Sequence, residues 1–467
     1  MTNTIQTTNI NITTGSSGFI LTGTGDSYWV VPGVFVASNG TGIFAGQANQ
    51  RVYVDGAVSG GLEAINLSGS GSLLDIGSTG RVIGSNTSGF AAISLVGNSG
   101  RLINHGSISG AGAAVETSAF AVVENTGTIT GGWIGVWLGK VGAVGGLLVN
   151  SGYIGAGTST TLASHGVFIE GESSRLVNSG TISTTGVNGV GVKIGGSLAG
   201  TGDLALVENY GAISSVWFWG VDASAMNFVN AGAQLVNYGV VSGAMGSFRG
   251  SSFGDGLVNR GALQGAVFLG NGADLYDGRG GTVNGVVWGE AGDDTLTGGD
   301  TDDDVLVGGS GLDVLTGRAG DDGLYGGEHD DTLRGGAGDD QLWAEGQNDL
   351  VAGGAGDDLL YGGSGTDTLI GGAGADQFIF TIGLELGSGA TRDQISDFTK
   401  GDVVDLHWVS FGMVFIGSAA FSGLAKEVRY AKATGLLSID SNGDGLMNYQ
   451  IEFTNHAALT ATDFLLA

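Results

Sequence analysis

Residues 335–343 read GGAGDDQLW, residues 353–361 read GGAGDDLLY and residues 371–379 read GGAGADQFI. Ten such units run in register across positions 289–380, with the consensus G-G-x-G-x-D-x-L-x and one extra residue in the unit that begins at position 298. Glycine at unit positions 1, 2 and 4 allows a tight turn with backbone angles that other residues rarely adopt. The apolar residue at position 8 supplies one core side chain per unit. The pattern predicts stacked short strands around a thin core.

Oxygen atoms dominate the chemistry of these turns. The turn directs backbone carbonyls inward, and the aspartate at position 6 adds a carboxylate, the kind of ligand that Ca²⁺ prefers. Residues 289–380 hold 21 of the chain's 45 acidic residues but only two basic ones, Arg318 and Arg334. Repulsion therefore opposes stacking until cations neutralise it. Composition alone also allows a flexible acidic linker, but ten units in register favour the calcium-binding stack.

The position-6 aspartates and the turn glycines are the candidate calcium ligands. The aspartates are Asp294, Asp304, Asp313, Asp322, Asp331, Asp340, Asp349, Asp358, Asp367 and Asp376. The glycines are Gly309, Gly311, Gly320, Gly327, Gly336, Gly338, Gly354, Gly356, Gly363, Gly365, Gly372 and Gly374. Some units depart from the consensus. Unit 344–352 lacks the glycine pair, and His329 takes position 4 in its unit. The inserted residue leaves Asp303 and Asp304 competing for one role, and we expect weaker or missing sites in these units.

The consensus resembles the calcium-binding nonapeptide repeat of RTX proteins. After the repeats, residues 392–406 (RDQISDFTKGDVVDL) resemble the D-x-I-x-D-F-x-x-G-D-x-x-D-L block of serralysin-type C-terminal domains. The resemblance implies about eight calcium ions between successive turns. It also implies export by a type I secretion apparatus, through an uncleaved signal in the apolar tail 459–467 (LTATDFLLA). The alternative for that tail is an ordinary last strand.

A looser repeat precedes the nonapeptides. An apolar pair, Asn, any residue and Gly recur within positions 51–288, with the asparagines 21 to 31 residues apart. This spacing predicts a solenoid with one coil per repeat, and the segment resembles the parallel β-helices of autotransporter passengers and filamentous adhesins. Asparagines at one corner of successive coils would form an amide ladder, and a ligand-binding stripe is the alternative. They are Asn104, Asn125, Asn150, Asn178, Asn209, Asn237 and Asn259.

These patterns together predict an all-β fold. A right-handed parallel β-helix would continue into an RTX calcium β-roll, followed by a small C-terminal β capping and secretion domain. We expect an N-terminal β cap at 1–50, the parallel β-helix at 51–288, the roll at 289–380, and the C-terminal cap with the secretion signal at 381–467.

Composition and motifs exclude several classes of protein. A formal charge of −29 argues against nucleic-acid binding, which needs clustered Lys and Arg. No run of 18 apolar residues is present, so membrane insertion is not expected. The chain has no cysteine for disulfides and no H-E-x-x-H zinc motif. Its only proline, Pro32, rules out the Y-G-x-D-P-H motif of alginate epimerases. The N-terminus shows no Sec-type signal.

The expected function is that of a secreted calcium-binding structural or adhesive protein of the bacterial cell surface or extracellular matrix. Calcium would trigger folding after export, because cytosolic calcium is too scarce for sites of the extracellular kind. No catalytic activity is expected. The expected partners are calcium, the type I secretion apparatus and a cell-surface or matrix polysaccharide. The exposed ends of a solenoid also leave end-to-end self-assembly open.

The alternative function is a polysaccharide-acting enzyme, of lyase or epimerase type, that uses one face of the β-helix. Its candidate charged residues are Glu170, Glu172, Arg175 and Lys193. An aromatic group could form a sugar-binding platform or simply pack the core; it comprises Trp133, Trp137, Trp217, Phe218 and Trp219. Residues 440–445 (DSNGDG) have the oxygen spacing of a calcium loop, and a plain turn is the alternative.

Overall fold

The chain forms two compact units, residues 1–268 and residues 269–467, which are described separately below. A computed structural model describes residues 3–466 apart from 7–9, 13–17, 87–89, 141–143, 158–162, 172, 197–204, 217, 227–231, 302, 382–385, 410 and 424–425. Among the described residues, β-strands are the main regular secondary structure of both units.

Unit 1 is built from short strands, and successive strands along the chain belong to the first, second and third sheet in rotation. They are β1 (Asn3–Gln6), β2 (Ile10–Ile12), β3 (Phe19–Leu21), β4 (Ser27–Val30), β5 (Phe35–Ser38), β6 (Ile43–Ala45), β7 (Arg51–Val54), β8 (Ala57–Gly60), β9 (Ile65–Leu67), β10 (Leu73–Ile76), β11 (Arg81–Gly84), β12 (Ile93–Leu95), β13 (Arg101–Asn104), β14 (Ser107–Gly110), β15 (Ala113–Thr117), β16 (Val122–Asn125), β17 (Thr128–Gly131), β18 (Ile134–Leu138), β19 (Leu147–Asn150), β20 (Tyr153–Ala156), β21 (His165–Ile169), β22 (Arg175–Asn178), β23 (Thr181–Thr184), β24 (Val190–Gly196), β25 (Ala205–Asn209), β26 (Ala212–Ser215), β27 (Trp219–Met226), β28 (Ala233–Asn237), β29 (Val240–Gly243), β30 (Gly246–Arg249), β31 (Gly256–Asn259), β32 (Ala262–Gln264) and β33 (Val267–Asn271).

Each strand of unit 1 pairs in parallel with the strand one coil later, so three strands make one coil. On the first sheet, Leu74 of β10 lies opposite Val52 of β7 and Leu102 of β13, and all three side chains are fully buried. Side chains alternate between the two faces of a strand, so such rows of Val, Leu and Ile fill the interior. The predicted parallel β-solenoid is confirmed.

The predicted asparagine ladder occupies the corner between the first and second sheets. Asn150 accepts a hydrogen bond from the Asn125 amide at 2.7 Å and donates one to the Asn178 carbonyl oxygen at 2.8 Å. The same bond joins every consecutive pair from Asn104 to Asn259, at 2.7–2.9 Å. The seven side chains are at most 1% exposed. The ladder interpretation is therefore confirmed, and the asparagines hold the corner of each coil.

Breaking this ladder in the middle is expected to destabilise unit 1. The variant Asn178→Ala removes the bonds of this side chain to the Asn150 amide and the Asn209 oxygen, and also its bonds to the carbonyl oxygens of Gly180 and Ala212. At roughly 1–3 kcal/mol for each buried unsatisfied group, we expect a loss of about 3 kcal/mol in the free energy of unfolding. Urea denaturation of unit 1 measures it. Ser179→Ala, one residue away, is the control, and equal stabilities of the two variants would contradict the ladder's role.

Two-strand coils build most of unit 2. Its strands are β34 (Leu275–Asp277), β35 (Thr282–Asn284), β36 (Val286–Ala291), β37 (Thr295–Thr297), β38 (Val305–Ser310), β39 (Val314–Ala319), β40 (Gly323–Glu328), β41 (Thr332–Ala337), β42 (Gln341–Gly346), β43 (Leu350–Ala355), β44 (Leu359–Tyr361), β45 (Thr368–Ala373), β46 (Gln377–Ile379), β47 (Asp393–Ile395), β48 (Val403–Asp405), β49 (Val414–Phe415), β50 (Glu427–Ala431), β51 (Leu436–Asp440), β52 (Tyr449–Phe453) and β53 (Phe464–Leu465). Two short 3-10 helices, Gly389–Thr391 and Ala461–Asp463, follow the repeats.

Two nonapeptides make one coil of unit 2, because the strand of each nonapeptide pairs with the strand of the second nonapeptide after it. Leu324 of β40 lies opposite Leu306 of β38 and Leu342 of β42. On the other sheet, Leu333 of β41 lies opposite Leu315 of β39. All these leucines are fully buried, so the predicted thin core of one apolar side chain per unit is confirmed.

An antiparallel hairpin closes the far end of unit 2. Strands β50, β51 and β52 are antiparallel neighbours, and β52 pairs with β47. Within the tail 459–467, β53 pairs in parallel with β48, and Phe464 is only 6% exposed. Among the residues that the structure describes, no helix is long and apolar enough to cross a membrane.

Candidate calcium sites

Close packing of the backbone requires glycine at these positions of the nonapeptide turns. Gly336 and Gly338 have φ of +128° and +134°, a region that favours glycine. A Cβ on Gly336 would lie 2.2 Å from the carbonyl oxygen of Arg318 in the preceding coil. A Cβ on Gly335, at unit position 1, would lie 2.2 Å from the Asp340 carboxylate. Each glycine of the unit therefore makes room for a neighbouring oxygen.

The ten candidate aspartates line up inside the stack. Each is at most 3% exposed. Asp340 Oδ1 accepts a hydrogen bond from the backbone N–H of Asp322 at 2.8 Å, and Asp358 Oδ1 accepts one from Asp340 at 2.9 Å. The bonds form two ladders, one on each side of the roll. The first joins Asp274, Asp294, Asp313, Asp331, Asp349, Asp367 and Asp393, and the second joins Asp304, Asp322, Asp340, Asp358, Asp376 and Asp402.

Three ladder members lie outside the predicted set of ligands. Asp274 begins one ladder, and Asp393 and Asp402 end the two. The sequence carries signals for all three, because Gly270-Asn271-Gly272-Ala273-Asp274 resembles half a turn and the terminal aspartates belong to the block at 392–406. Asp402 Oδ2 also accepts a bond from the Thr399 N–H at 2.6 Å, so this residue ends the ladder with both oxygens engaged.

The second carboxylate oxygen of seven ladder aspartates is buried in the stack. Oδ2 is buried without a hydrogen-bond partner in Asp294, Asp313, Asp331, Asp340, Asp349, Asp358 and Asp376. Next to Gly335, both Asp340 Oδ2 and the Gly353 carbonyl oxygen from the following coil lie within 2.7 Å of the position that a Cβ would occupy. Buried anionic oxygen without a partner is costly. A Ca²⁺ ion held by this carboxylate and backbone carbonyls would relieve that cost.

Such a site differs from a cluster of side-chain ligands. Within the described residues, no three His, Asp or Glu side chains lie close enough together to hold a metal ion. The position-5 residues form a separate, exposed row with bonds in the opposite direction. Asp339 N–H donates to Asp321 Oδ1 at 2.8 Å, and Asp357 N–H donates to Asp339 Oδ1 at 2.8 Å.

Burial raises the pKa of the ladder aspartates in the calcium-free protein. The pKa is about 6 for Asp313 and Asp376, about 7 for Asp294, Asp331, Asp340 and Asp358, and about 8 for Asp349. Loss of solvation is the largest cause, and neighbouring carboxylates add to it. A bound cation would favour the ionised forms instead.

Acid is therefore expected to replace part of calcium's role in folding. Folded-state pKa values above the unfolded value of about 4 mean that stability is fully present below that value and is lost as pH rises through 6–8. In chelator, far-UV circular dichroism should show more folded unit 2 at pH 5.5 than at pH 8. In saturating calcium the trend should reverse, because protons then compete with the ion. A chelated protein equally unfolded at both pH values would contradict the assigned shifts.

The divergent units keep the turn at a cost in backbone strain. Five residues at positive φ replace glycine: Glu290, Arg318, His329, Glu345 and Gln347, with φ of 80°, 90°, 92°, 78° and 78°. The aspartates of those units remain buried, as Asp331 and Asp349 show. Whether calcium binds more weakly there stays a prediction.

Restoring glycine at one such position is expected to stabilise unit 2. Gln347→Gly removes a side chain held at positive φ, which costs of order 1 kcal/mol or more. We expect a gain of about 1 kcal/mol in the free energy of unfolding in calcium, measured by urea denaturation. The opposite exchange, Gly356→Gln at position 4 of the next unit, serves as control and should destabilise. Equal effects of the two exchanges would contradict the account of strain.

The alternative enzymatic residues of unit 1 are engaged in pairs. Glu170 accepts a bond from Trp137 Nε1 at 2.8 Å, and Lys193 contacts Asp222 at 2.7 Å. Arg175 forms an ion pair with Glu208. Glu172 and Trp217 lie outside the described residues. Trp219 is only 6% exposed, so it packs as the structural interpretation requires.

In the 440–445 loop, backbone N–H groups of the loop itself hydrogen-bond to the carboxylate of Asp440. Asp440 is fully buried, and its two oxygens accept backbone bonds from Gly443 at 2.7 Å and Gly445 at 2.8 Å. Asp444 N–H donates to Asn442 Oδ1 at 3.0 Å. These bonds favour the plain turn over an additional calcium site.

Comparison with known proteins agrees with the repeat geometry over part of the chain. A family model described as the RTX calcium-binding nonapeptide repeat matches four times, at 279–306, 299–328, 325–360 and 343–378. The solution structure of the AlgE6R3 subunit from the Azotobacter vinelandii mannuronan C5-epimerase is similar at 25% sequence identity. That match covers 38% of this chain and 79% of the other, with a TM-score of 0.20. No curated protein matches the chain.

Proposed function

We propose that this chain, which carries RTX calcium-binding nonapeptide repeats within residues 279–378, is a secreted β-solenoid that folds on binding calcium outside the cell. It would serve as a structural or adhesive protein of the bacterial surface or matrix. The buried Oδ2 atoms without a hydrogen-bond partner in Asp294, Asp313, Asp331, Asp340, Asp349, Asp358 and Asp376 carry this proposal. At a pH above the raised pKa values of these aspartates, bound cations would make so many buried carboxylates compatible with a stable stack.

The ten predicted aspartates and twelve predicted glycines would supply the ligands. Each ion would take a carboxylate oxygen from one coil and carbonyl oxygens from the turns around it, which is the oxygen-rich set that Ca²⁺ accepts. We propose about eight ions, because the end turns lack a neighbouring turn on one side.

Export before folding would follow from the calcium requirement. Inside the cell the acidic repeats would repel one another, and outside, calcium at about 10⁻⁴–10⁻³ M would neutralise them. The tail 459–467 would be read by a type I secretion apparatus while the chain is unfolded. After folding, the pairing of β53 with β48 would bury part of that tail.

The test is secretion from a bacterial host with and without a type I apparatus. We expect the full chain in the medium only when the apparatus is present, and we expect a chain truncated after residue 458 to remain in the cells. As a control, Phe464→Ser with residues 459–467 otherwise intact separates loss of the signal from loss of folding. Export of the truncated chain would contradict the proposed signal, and export without the apparatus would contradict the proposed route.

A polysaccharide-acting enzyme is the less favoured alternative. Its described candidates Glu170, Arg175 and Lys193 are each held by a neighbouring side chain, an arrangement that fits structural pairing better than proton transfer. Incubation of the calcium-loaded protein with polysaccharides, followed by assay for new reducing or unsaturated ends, would decide between the two functions.

A further inference from the structure

The outward face of the third sheet of unit 1 carries a continuous row of aromatic and charged side chains. Glu116, Trp137, Phe168, Lys193 and Asp222 lie opposite one another in order on β15, β18, β21, β24 and β27. Neighbouring strands are about 4.8 Å apart, so the row is about 20 Å long. We call it the third-sheet strip.

Two aromatic rings form the centre of the strip. Trp137 and Phe168 are partly exposed, and their ring centroids lie 5.5 Å apart. Trp133 packs edge-on to Trp137 at 5.9 Å, and these three rings rest on the buried Ala91, Ala113 and Ile134. The Trp137 indole is also held in place by its bond to Glu170 and by the Lys140 ammonium, 4.8 Å from the ring centroid. The platform is therefore rigid before any ligand arrives.

Buried polar atoms beside this platform lack partners. Trp133 Nε1 and His165 Nδ1 are both buried with no hydrogen bond in the structure. The two residues lie in adjacent coils, since the backbone N–H of His165 donates to the backbone carbonyl oxygen of Trp133 at 2.7 Å. Desolvation and nearby Lys193 lower the pKa of His165 to about 4, so the imidazole is neutral at pH 7 and can both donate and accept. Both atoms are enclosed by the protein, so an internal water is the kind of polar partner that would satisfy them, and the ligand contacts are left to the exposed rings.

The charge of the protein distinguishes between anionic and neutral ligands. Glu116 holds Lys140 at 2.6 Å and Asp222 holds Lys193 at 2.7 Å, so these two lysines are already neutralised. Unit 1 has 12 acidic and 8 basic residues, a formal charge of −4, within a chain of −29. A polyanion would be repelled by such a protein. A sugar ring without charge suits the aromatic rings of the strip.

We propose that the third-sheet strip binds a neutral polysaccharide. The C–H faces of the sugar rings pack on the exposed parts of Trp137 and Phe168. Partly exposed aromatic rings offer the apolar area that such packing needs. The inference rests on the proposed adhesive function, for which it names the ligand class and the surface.

The experiment uses the full calcium-loaded chain with dextran, laminarin and galactomannan as neutral probes and polygalacturonate as the acidic probe. Affinity electrophoresis and tryptophan emission report binding. We expect at least one neutral polysaccharide to bind, and we expect Trp137→Ala and Phe168→Leu each to weaken that binding at least tenfold. Phe168→Leu keeps an apolar side chain of similar size, so the test survives if Trp137→Ala fails to fold. Tyr238→Ala is the matched control, because Tyr238 is a 49% exposed aromatic residue of the same unit that stacks on Tyr210 outside the strip.

Four outcomes would overturn the proposal: no binding of any neutral probe, binding of polygalacturonate alone, binding unchanged in both strip variants, or an equal loss of binding in Tyr238→Ala. Circular dichroism with and without calcium is recorded on the same samples. A failure of calcium-dependent folding would contradict the proposed function itself, whereas failure to bind sugars in a protein that folds with calcium would contradict only the strip.

Discussion

Removal of calcium is expected to unfold residues 269–467 while residues 1–268 stay folded. Unit 2 contains 33 acidic and 8 basic residues, a formal charge of −25, whereas unit 1 contains 12 and 8, a charge of −4. Unit 2 has a core of one apolar side chain per nonapeptide. In unit 1, all three strands of a coil contribute buried apolar side chains to the core, and the asparagine ladder is buried as well. Charge repulsion thus falls on the unit that has the smaller core to resist it.

The size of this effect follows from linkage. Each site that is occupied at 100 times its dissociation constant adds about 2.7 kcal/mol to the stability of the folded state. Several sites acting together would exceed the 5–15 kcal/mol that typically separates folded from unfolded domains. Unit 2 should therefore change from folded to unfolded across a narrow range of calcium concentration, instead of losing stability gradually.

Hydrogen exchange with mass spectrometry on the full chain would measure both units at once. In chelator at pH 8, amides of β38–β46 should lose protection, and amides of β7–β29 should keep it. Magnesium at the same concentration is the control, because its preference for octahedral, partly hydrated sites suits carbonyl-rich turns poorly. Equal protection of unit 2 with and without calcium would contradict the proposed folding trigger.

The nonapeptide region was predictable because its period is strict. A spacing of 18 residues fixes which side chains stack, so Leu324 meets Leu342 and Asp340 meets Asp358 without further information. The ends of the ladders were harder to predict because the spacing changes. Asp367 bonds to Asp393 and Asp376 to Asp402 across 26 residues.

Unit 1 shows where sequence reasoning stops. The asparagine corner was predictable because a distinctive residue marks each coil. The third-sheet strip was not, because its members lie 21, 31, 25 and 29 residues apart on coils of unequal length. Trp137 and Phe168 became neighbours only once the register was known. The division into four regions at residues 50, 288 and 380 stays a prediction beside the two compact units.

Asp358→Asn is expected to remove calcium binding around one turn in the middle of the second ladder. Asp358 is fully buried; Oδ1 accepts a bond from Asp340, and its own N–H donates to Asp376. Asparagine keeps the shape and the Oδ1 acceptor but replaces the unpartnered, negatively charged Oδ2 with a donor. A donor pointing at a cation site is repulsive, so the site itself is lost and not merely weakened.

The neighbouring Asp357→Asn provides a matched control in the same turn. Asp357 is exposed and belongs to the outer row, where Oδ1 accepts a bond from the Ala375 N–H at 2.7 Å. Both variants remove one negative charge, so any difference between them reflects position alone.

We expect Asp358→Asn to raise the calcium midpoint of folding at least tenfold and to lower the free energy of unfolding by about 3 kcal/mol in saturating calcium, as the loss of one site implies. Asp357→Asn should lower the midpoint slightly by relieving repulsion. Calcium titration followed by circular dichroism, with equilibrium dialysis to count bound ions, measures both effects. If the two variants shifted the midpoint in the same direction and by the same amount, net charge and not the buried ladder would control folding, and the ligand assignment would have to be abandoned.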